Sequence, residues 1–275
     1  MKQLLTEDGS AQAVRWTGSP SYDGMTPILP FTESGSGDTI LLFLHFFGSS
    51  RNEWRHVTEQ LSRDYRCVAA DMPGFGEAAN VSGYSVTQMT ASLAALLAHF
   101  APAPVGVVAH SFSGKPAMVL AADPLPNYRQ LIMVAPTTLV PEPIEEDARS
   151  AMRTRNQSHE GAEEFIAGSH HRDLQEGDLE LAIADVLRSN EQAWLAWPDS
   201  GSLEDWSDRI TELRVPAHLI VGDLDKAIPL AFQKQHTLPL IEKTGGKFIV
   251  IEDAAHMLPN EATAELVVAI RSCLA

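Results

Sequence analysis

A mostly parallel β-sheet with helices packed on both faces is the fold this sequence predicts, and three observations carry the prediction. First, six short runs are apolar and rich in β-branched residues: 39–44, 66–70, 105–109, 130–134, 217–221 and 247–251. Strands without polar alternation are buried on both faces, as in parallel sheets. Second, most of these runs are separated by segments with helical periodicity, the alternation of an α/β protein. Third, 275 residues with 44% hydrophobic and 20% charged side chains suffice for one sizeable α/β core and are unlike a disordered chain.

The elements follow in order. Residues 26–33 supply an antiparallel edge strand before a Gly/Ser turn at 34–37. Helices are expected at 53–61, 86–100, 114–121, 230–238 and 262–274. In the clearest of them, 86–100, Met89, Leu93, Leu96 and Leu97 recur at helical spacing. Between about 140 and 208 the alternation stops, and charged helical stretches at 143–155, 161–167 and 178–197 follow one another. This stretch reads as a helical cap, residues 140–208, inserted into a core built from 1–139 and 209–275. No internal repeat or low-complexity tract interrupts the pattern.

Charge and composition exclude several classes. With 20 Lys and Arg against 36 Asp and Glu, the net charge is −16, which argues against nucleic acid or an anionic membrane as partner. The cysteines, Cys67 and Cys273, are too few for a disulfide framework and fit a reducing compartment. The N-terminal MKQLLTEDGSAQ lacks the apolar run of a signal peptide, and no stretch reaches 18 apolar residues. No P-loop, dinucleotide fingerprint or zinc-ligand spacing occurs, so neither cofactor nor metal is expected. The expectation is a soluble, cytoplasmic protein acting on a small-molecule substrate. Its oligomeric state stays open, with a homodimer among the options.

Four short motifs carry chemistry. VVAHSFSGK places Ser111 where a strand gives way to a helix, a sharp turn that lifts a serine hydroxyl above the sheet edge. Such a turn tolerates only small residues two places either side, here Ala109 and Ser113; a plain helix cap is the competing reading. LHFFGSS follows an apolar strand, where a loop can offer a backbone N–H to an oxyanion. VGDLDKAIP offers Asp223 and Asp225 after a late strand, and Asp225 lies farther into the loop. IEDAAHMLP places His256 between the last strand and the final helix, whereas His218, His236, His170 and His171 read as surface or packing residues. The order Ser111, Asp225, His256 matches one lineage of Ser-Asp/Glu-His triads. Each member also falls at the carboxyl end of an expected strand, the edge where open parallel sheets place their sites.

These residues resemble the α/β-hydrolase fold superfamily from about residue 26 to the C-terminus. His45-Phe46-Phe47-Gly48 resembles its His-Gly oxyanion segment, Asp71 to Gly76 its D-x-x-G-x-G turn, Gly222 to Pro229 its acid loop, and Ala255-His256 its histidine loop. The resemblance implies an eight-stranded, mostly parallel sheet, a helical cap after the sixth strand and the D-x-x-G-x-G turn after the fourth. Two places depart from the pattern: Phe46 stands where glycine follows the histidine, and Ala109 and Ser113 stand at the elbow glycines.

A serine nucleophile argues against the carboxylate chemistry of dehalogenases and epoxide hydrolases of this fold and suits acyl transfer. The expected mechanism has Ser111 attack a carbonyl, His256 take its proton, Asp225 orient the imidazole, and the N–H groups of Phe47 and Phe112 hold the oxyanion. Trp194, Trp197, Trp206 and Phe165 either pack the cap or line an apolar pocket near Phe46, Phe47 and Phe112. A small, apolar carboxylic ester is the expected substrate. C–C bond hydrolysis, cofactor-free dioxygenation, perhydrolysis and a binding protein with a vestigial triad are the alternatives.

Overall fold

The computed structural model describes residues 26–275. Seven strands form one sheet among them: β1 Phe31–Ser34, β2 Ile40–Leu44, β3 Arg66–Ala70, β4 Val105–His110, β5 Tyr128–Val134, β6 Ala217–Gly222 and β7 Phe248–Ile251. Their spatial order is β1-β3-β2-β4-β5-β6-β7; β1 runs antiparallel to β3 and every other pairing is parallel. The sheet thus has seven described strands where the resemblance implied eight, and residues 1–25 lie outside the described part. The Asp71 turn accordingly follows the third described strand and the helical insertion the fifth. Strand β1 is also shorter than expected, because Pro27 and Pro30 lack the N–H that a ladder requires.

Strand alternation explains why helices cover both faces. Successive side chains of a strand point to opposite sides. In β2, Ile40, Leu42 and Leu44 enter one apolar cluster while Leu41 and Phe43 enter the other. In β5, Leu131 and Met133 go one way and Ile132 and Val134 the other. Helices α1 (Arg55–Leu61) and, at the end of the chain, Thr263–Leu274 cover the face that Leu41 joins. Helices α2 (Val86–Phe100) and α3 (Gly114–Ala122) cover the other face. Ser85 starts α2 with a full capping box to Gln88.

The insertion between β5 and β6 is helical: α4 Glu146–Met152, α5 His159–Ala167, α6 Asp178–Leu187 and α7 Glu191–Asp199. The single helix expected at 178–197 is two, because Asn190 caps a new helix by accepting from the Gln192 and Ala193 N–H groups. The helix expected at 230–238 likewise divides into α8 Leu230–His236 and α9 Leu238–Glu242, with Pro239 in the first turn of α9. The chain closes with α10 Leu258–Glu261 and α11 Thr263–Leu274.

Buried polar groups fasten the insertion to the core. The Lys115 ammonium donates to the carbonyls of Val140, Gly201 and Glu204, at 3.4, 3.2 and 2.9 Å, joining both ends of the insertion to α3. Ser50 Oγ donates to Asp185 Oδ2 at 2.6 Å, a contact from the core to α6.

Chain order and strand order together locate a crevice. From β2 the chain moves outward to β3, then returns to place β4 on the other side of β2. Open α/β sheets bind ligands beyond the carboxyl ends of strands at such a reversal. Leu44 pairs with Ala109 in register, so the loop after β2 and the turn after β4 leave the sheet side by side.

Candidate active site

At the end of β4 the backbone turns abruptly through a 3₁₀ turn, Ser111–Ser113, before α3 begins at Gly114. Ser111 has φ +53, a left-handed conformation that a non-glycine residue adopts only under constraint from its surroundings. The constraints are visible. The Ser111 carbonyl accepts from Thr137 N–H at 3.0 Å. Ser113 Oγ donates to the carbonyls of His110 and Leu44, at 2.8 and 3.1 Å, so the serine standing for an elbow glycine ties the turn to β2. Gly114 admits no side chain, since a Cβ there would lie 2.6 Å from Pro136 Cβ. Gly114→Ala is expected to destabilise the fold by about 1–3 kcal/mol, through overpacking, as read by urea unfolding.

The turn brings three distant residues together. Ser111 Oγ lies 2.8 Å from His256 Nε2, and His256 Nδ1 lies 2.8 Å from Asp225 Oδ2. The other carboxylate oxygen of Asp225 accepts from the N–H groups of Ala227 and Ile228, at 2.8 and 3.1 Å, which fixes its orientation. All three residues are buried. Asp223 stays on the exposed side of the same loop, where Oδ1 faces the Ala254 N–H at 3.4 Å. Burial opposes charging of the His256 imidazole. Asp225, by charge and hydrogen bond, outweighs that effect with help from Glu142 and Glu53, and holds its pKa above the ordinary histidine value.

The loop after β2 is built around Phe46. Its N–H donates to Glu53 Oε2 at 3.0 Å, and its carbonyl closes a turn by accepting from Ser49 N–H at 3.2 Å. That turn does not use the Phe47 N–H. Gly48 makes it possible: its φ is +80, and a Cβ there would lie 2.8 Å from the Trp194 ring. The Phe112 N–H stands in the opening turn after β4, where helix geometry supplies no carbonyl partner. His45 is structural, accepting from Met72 N–H at 2.9 Å through Nε2 while its Nδ1 faces the Phe46 carbonyl at 2.8 Å.

A cavity of about 140 Å³ opens over Ser111 and His256. Phe46, Phe47, Ile144, Phe165 and Trp197 line it together with Glu142. The aromatic residues of the insertion therefore divide between the two readings. Phe165 and Trp197 face the cavity, whereas Trp194 packs on the Phe47 ring at 4.5 Å and donates to the Met152 carbonyl. Trp206 is buried elsewhere, its indole N–H on Glu204. A larger open groove of about 790 Å³ runs along β7 and α11 and contains none of the three residues. Among the described residues no cluster of three His, Cys, Asp or Glu side chains is arranged to hold a metal ion. No helix among them is long and apolar enough to cross a membrane.

The structure also shows polar partners that the sequence reading missed. His110 is fully buried, its Nδ1 2.9 Å from Glu53 Oε1 and its Nε2 2.8 Å from the His256 carbonyl. Glu53 therefore grips the Phe46 loop with one oxygen and His110 with the other. His110 in turn grips the backbone of His256. The signal available in sequence was only the polar residue next to Ser111 at the end of an apolar strand.

A strained serine beyond β4, a histidine bonded to both serine and acid, and a crevice at the strand reversal define a protein of the α/β-hydrolase fold. The alpha/beta hydrolase family matches residues 41–270, and the chain belongs to that family. The pimeloyl-[acyl-carrier protein] methyl ester esterase of Pseudoalteromonas atlantica is 27% identical over 214 residues, 72% of this chain and 80% of that protein. The dihydrolipoyllysine-residue acetyltransferase component of the acetoin cleaving system of Cupriavidus necator is 29% identical over 107 residues. The match spans 38% of this chain and only 29% of that protein. Among solved structures, an esterase from Exiguobacterium antarcticum superposes with a TM-score of 0.79 at 17% identity, covering 88% of this chain and 93% of that one.

Proposed function

We propose that this α/β hydrolase cleaves small carboxylic esters through an acyl-enzyme, with Ser111 as nucleophile. The observation that carries the reading is the unbroken hydrogen-bond path from Ser111 Oγ through both nitrogens of His256 to Asp225. In the first step His256 Nε2 takes the Ser111 proton as Oγ bonds to the ester carbonyl carbon. Negative charge then develops on the carbonyl oxygen, where the N–H groups of Phe47 and Phe112 receive it. His256 returns the proton to the departing alkoxide, and the alcohol leaves. Water then repeats the sequence on the acyl-enzyme, releasing the acid and restoring Ser111. Asp225 holds the Nδ1–H tautomer and balances the imidazolium.

The cavity volume supports a small acyl or alcohol group. A cavity of about 150 Å³ holds one benzene-sized molecule, and this one is slightly smaller. The methyl ester esterase among the relatives acts on the same bond class. A second, smaller domain is assigned to the insertion, which supplies half of the residues lining the cavity, with the core on either side of it in sequence.

Labelling with a fluorophosphonate tests the proposal. Wild type is expected to gain one covalent adduct by intact-mass spectrometry and Ser111→Ala none. A wild type that stays unlabelled while hydrolysing no p-nitrophenyl ester would leave a binding protein as the better reading.

A further inference from the structure

The cavity over Ser111 contains one group that acyl transfer does not use. Glu142 sits where the chain has just left β5 and entered the insertion, with its backbone fixed on both sides. Its N–H donates to the Ser202 carbonyl and its carbonyl accepts from Ile144 N–H, each at 2.8 Å. The residue is 8% exposed, and its Oε1 has no hydrogen-bond partner among the described residues. A buried acceptor left unsatisfied in apolar surroundings is costly and calls for a partner.

Trp197 offers the carboxyl a side-chain hydrogen bond that leaves Oε1 unpaired, and the neighbouring cations do not supply Oε1 with a partner. An ammonium has three hydrogens, and those of Lys115 go to the Val140, Gly201 and Glu204 carbonyls. Arg149 spends Nη1 on the Pro198 carbonyl and Ser202 Oγ, and Nη2 on the Ile144 carbonyl. The remaining side that Glu142 offers is the cavity it lines beside Ser111 and His256.

We propose that Glu142 is a specificity residue whose carboxyl accepts a hydrogen bond from a donor group, a hydroxyl or an ammonium, carried by the substrate near its scissile ester. The inference rests on the ester-hydrolase reading above and narrows its substrate class from apolar esters to esters with one polar donor in an otherwise apolar group. An apolar wall alone discriminates weakly against an added hydroxyl. A buried acceptor discriminates strongly against the analogue that lacks the donor, because the acceptor is then left unpaired. The cavity holds a benzene-sized group, so the donor must lie within a few bonds of the ester carbon. Burial also lifts the Glu142 pKa to about 7, against the pull of Lys115, His256, Trp197 and Arg149. A donor from the substrate would favour the charged form.

Two matched ester pairs test this on either side of the bond, each exchanging one methyl for one hydroxyl. They are p-nitrophenyl 3-methylbutanoate against p-nitrophenyl 3-hydroxybutanoate, and 2-methylpropyl acetate against 2-hydroxypropyl acetate. In at least one pair, wild type is expected to favour the hydroxyl ester in kcat/KM by about ten- to a hundredfold, the value of a hydrogen bond to a charged group. Glu142→Leu is expected to abolish or invert that preference, and Glu142→Gln, which keeps an acceptor oxygen, to retain part of it. Thermal unfolding establishes that each variant is folded. The hydroxyl preference of wild type is further expected to grow as pH rises through about 7, while that of Glu142→Gln stays flat. Titration of His256 cancels in the ratio, because both esters use it.

Hydrolysis by wild type with the same ratio in Glu142→Leu overturns the subsite and leaves the hydrolase reading intact. A wild type that hydrolyses none of the four esters and takes no fluorophosphonate overturns that reading, and this inference with it.

Discussion

Asp225→Asn is expected to lower kcat for a p-nitrophenyl ester by about 10⁴-fold, whereas Asp223→Asn leaves it near the wild-type value. Both residues sit in one loop three positions or fewer from Gly222, yet only Asp225 reaches His256, at 2.8 Å. An asparagine there can turn its amide so that N–H faces Nδ1, which shifts the imidazole proton to Nε2 and removes the base that Ser111 needs. It also removes the negative charge that stabilises the imidazolium during attack. The same charge raises the His256 pKa in wild type. A base works only when deprotonated, so activity falls as pH drops through that raised value. Without Asp225 the imidazole charges less readily, and the acid limb of the kcat/KM profile is expected to move to lower pH. Equal losses in the Asp223 and Asp225 variants would overturn the assignment of the acid.

The contrast between these aspartates shows what a sequence can carry. The strands were readable because an apolar run of five or six residues is a local pattern, and β3 and α2 appear with the bounds the pattern gave. The order Ser111, Asp225, His256 is legible because each sits at a strand end, a local feature, and the structure brings the three side chains within hydrogen-bond distance. Helix breaks at Asn190 and Thr237 were blurred, since apolar periodicity continues across both and only capping and proline chemistry interrupts it.

Long-range polar pairing was invisible. His110 is bonded to residues 57 and 146 positions away in the chain, and its place at the end of an apolar strand does not name those partners. In the sequence Glu142 is one acid among many in the insertion. Phe46, which stands in place of a glycine, acquires its meaning only from the Glu53 carboxylate on its N–H. Each departure from the family pattern thus has its own anchor: Glu53, outside the pattern, holds Phe46, and Ser113, itself a departure, ties the elbow to β2.

Removing His110 is expected to have the largest effect on stability. Both of its ring nitrogens lie within hydrogen-bond distance of a buried oxygen, the Glu53 carboxyl on one side and the His256 carbonyl on the other. His110→Leu has nearly the right volume but leaves the Glu53 carboxyl, among the described residues, with only the Phe46 N–H as partner. Each buried polar group left without its partner costs about 1–3 kcal/mol, and the substitution strands two, the Glu53 carboxyl and the His256 carbonyl. Urea unfolding of His110→Leu should therefore show a loss of that size, while the double variant Glu53→Leu/His110→Leu recovers a substantial part of it. The coupling also reaches the site. The lost contacts are those that fix the Phe46–Phe47 loop and the His256 backbone, so the folded fraction of His110→Leu is expected to lose kcat as well. A single variant as stable as wild type, or a double variant whose losses simply add, would show that Glu53 and His110 act independently.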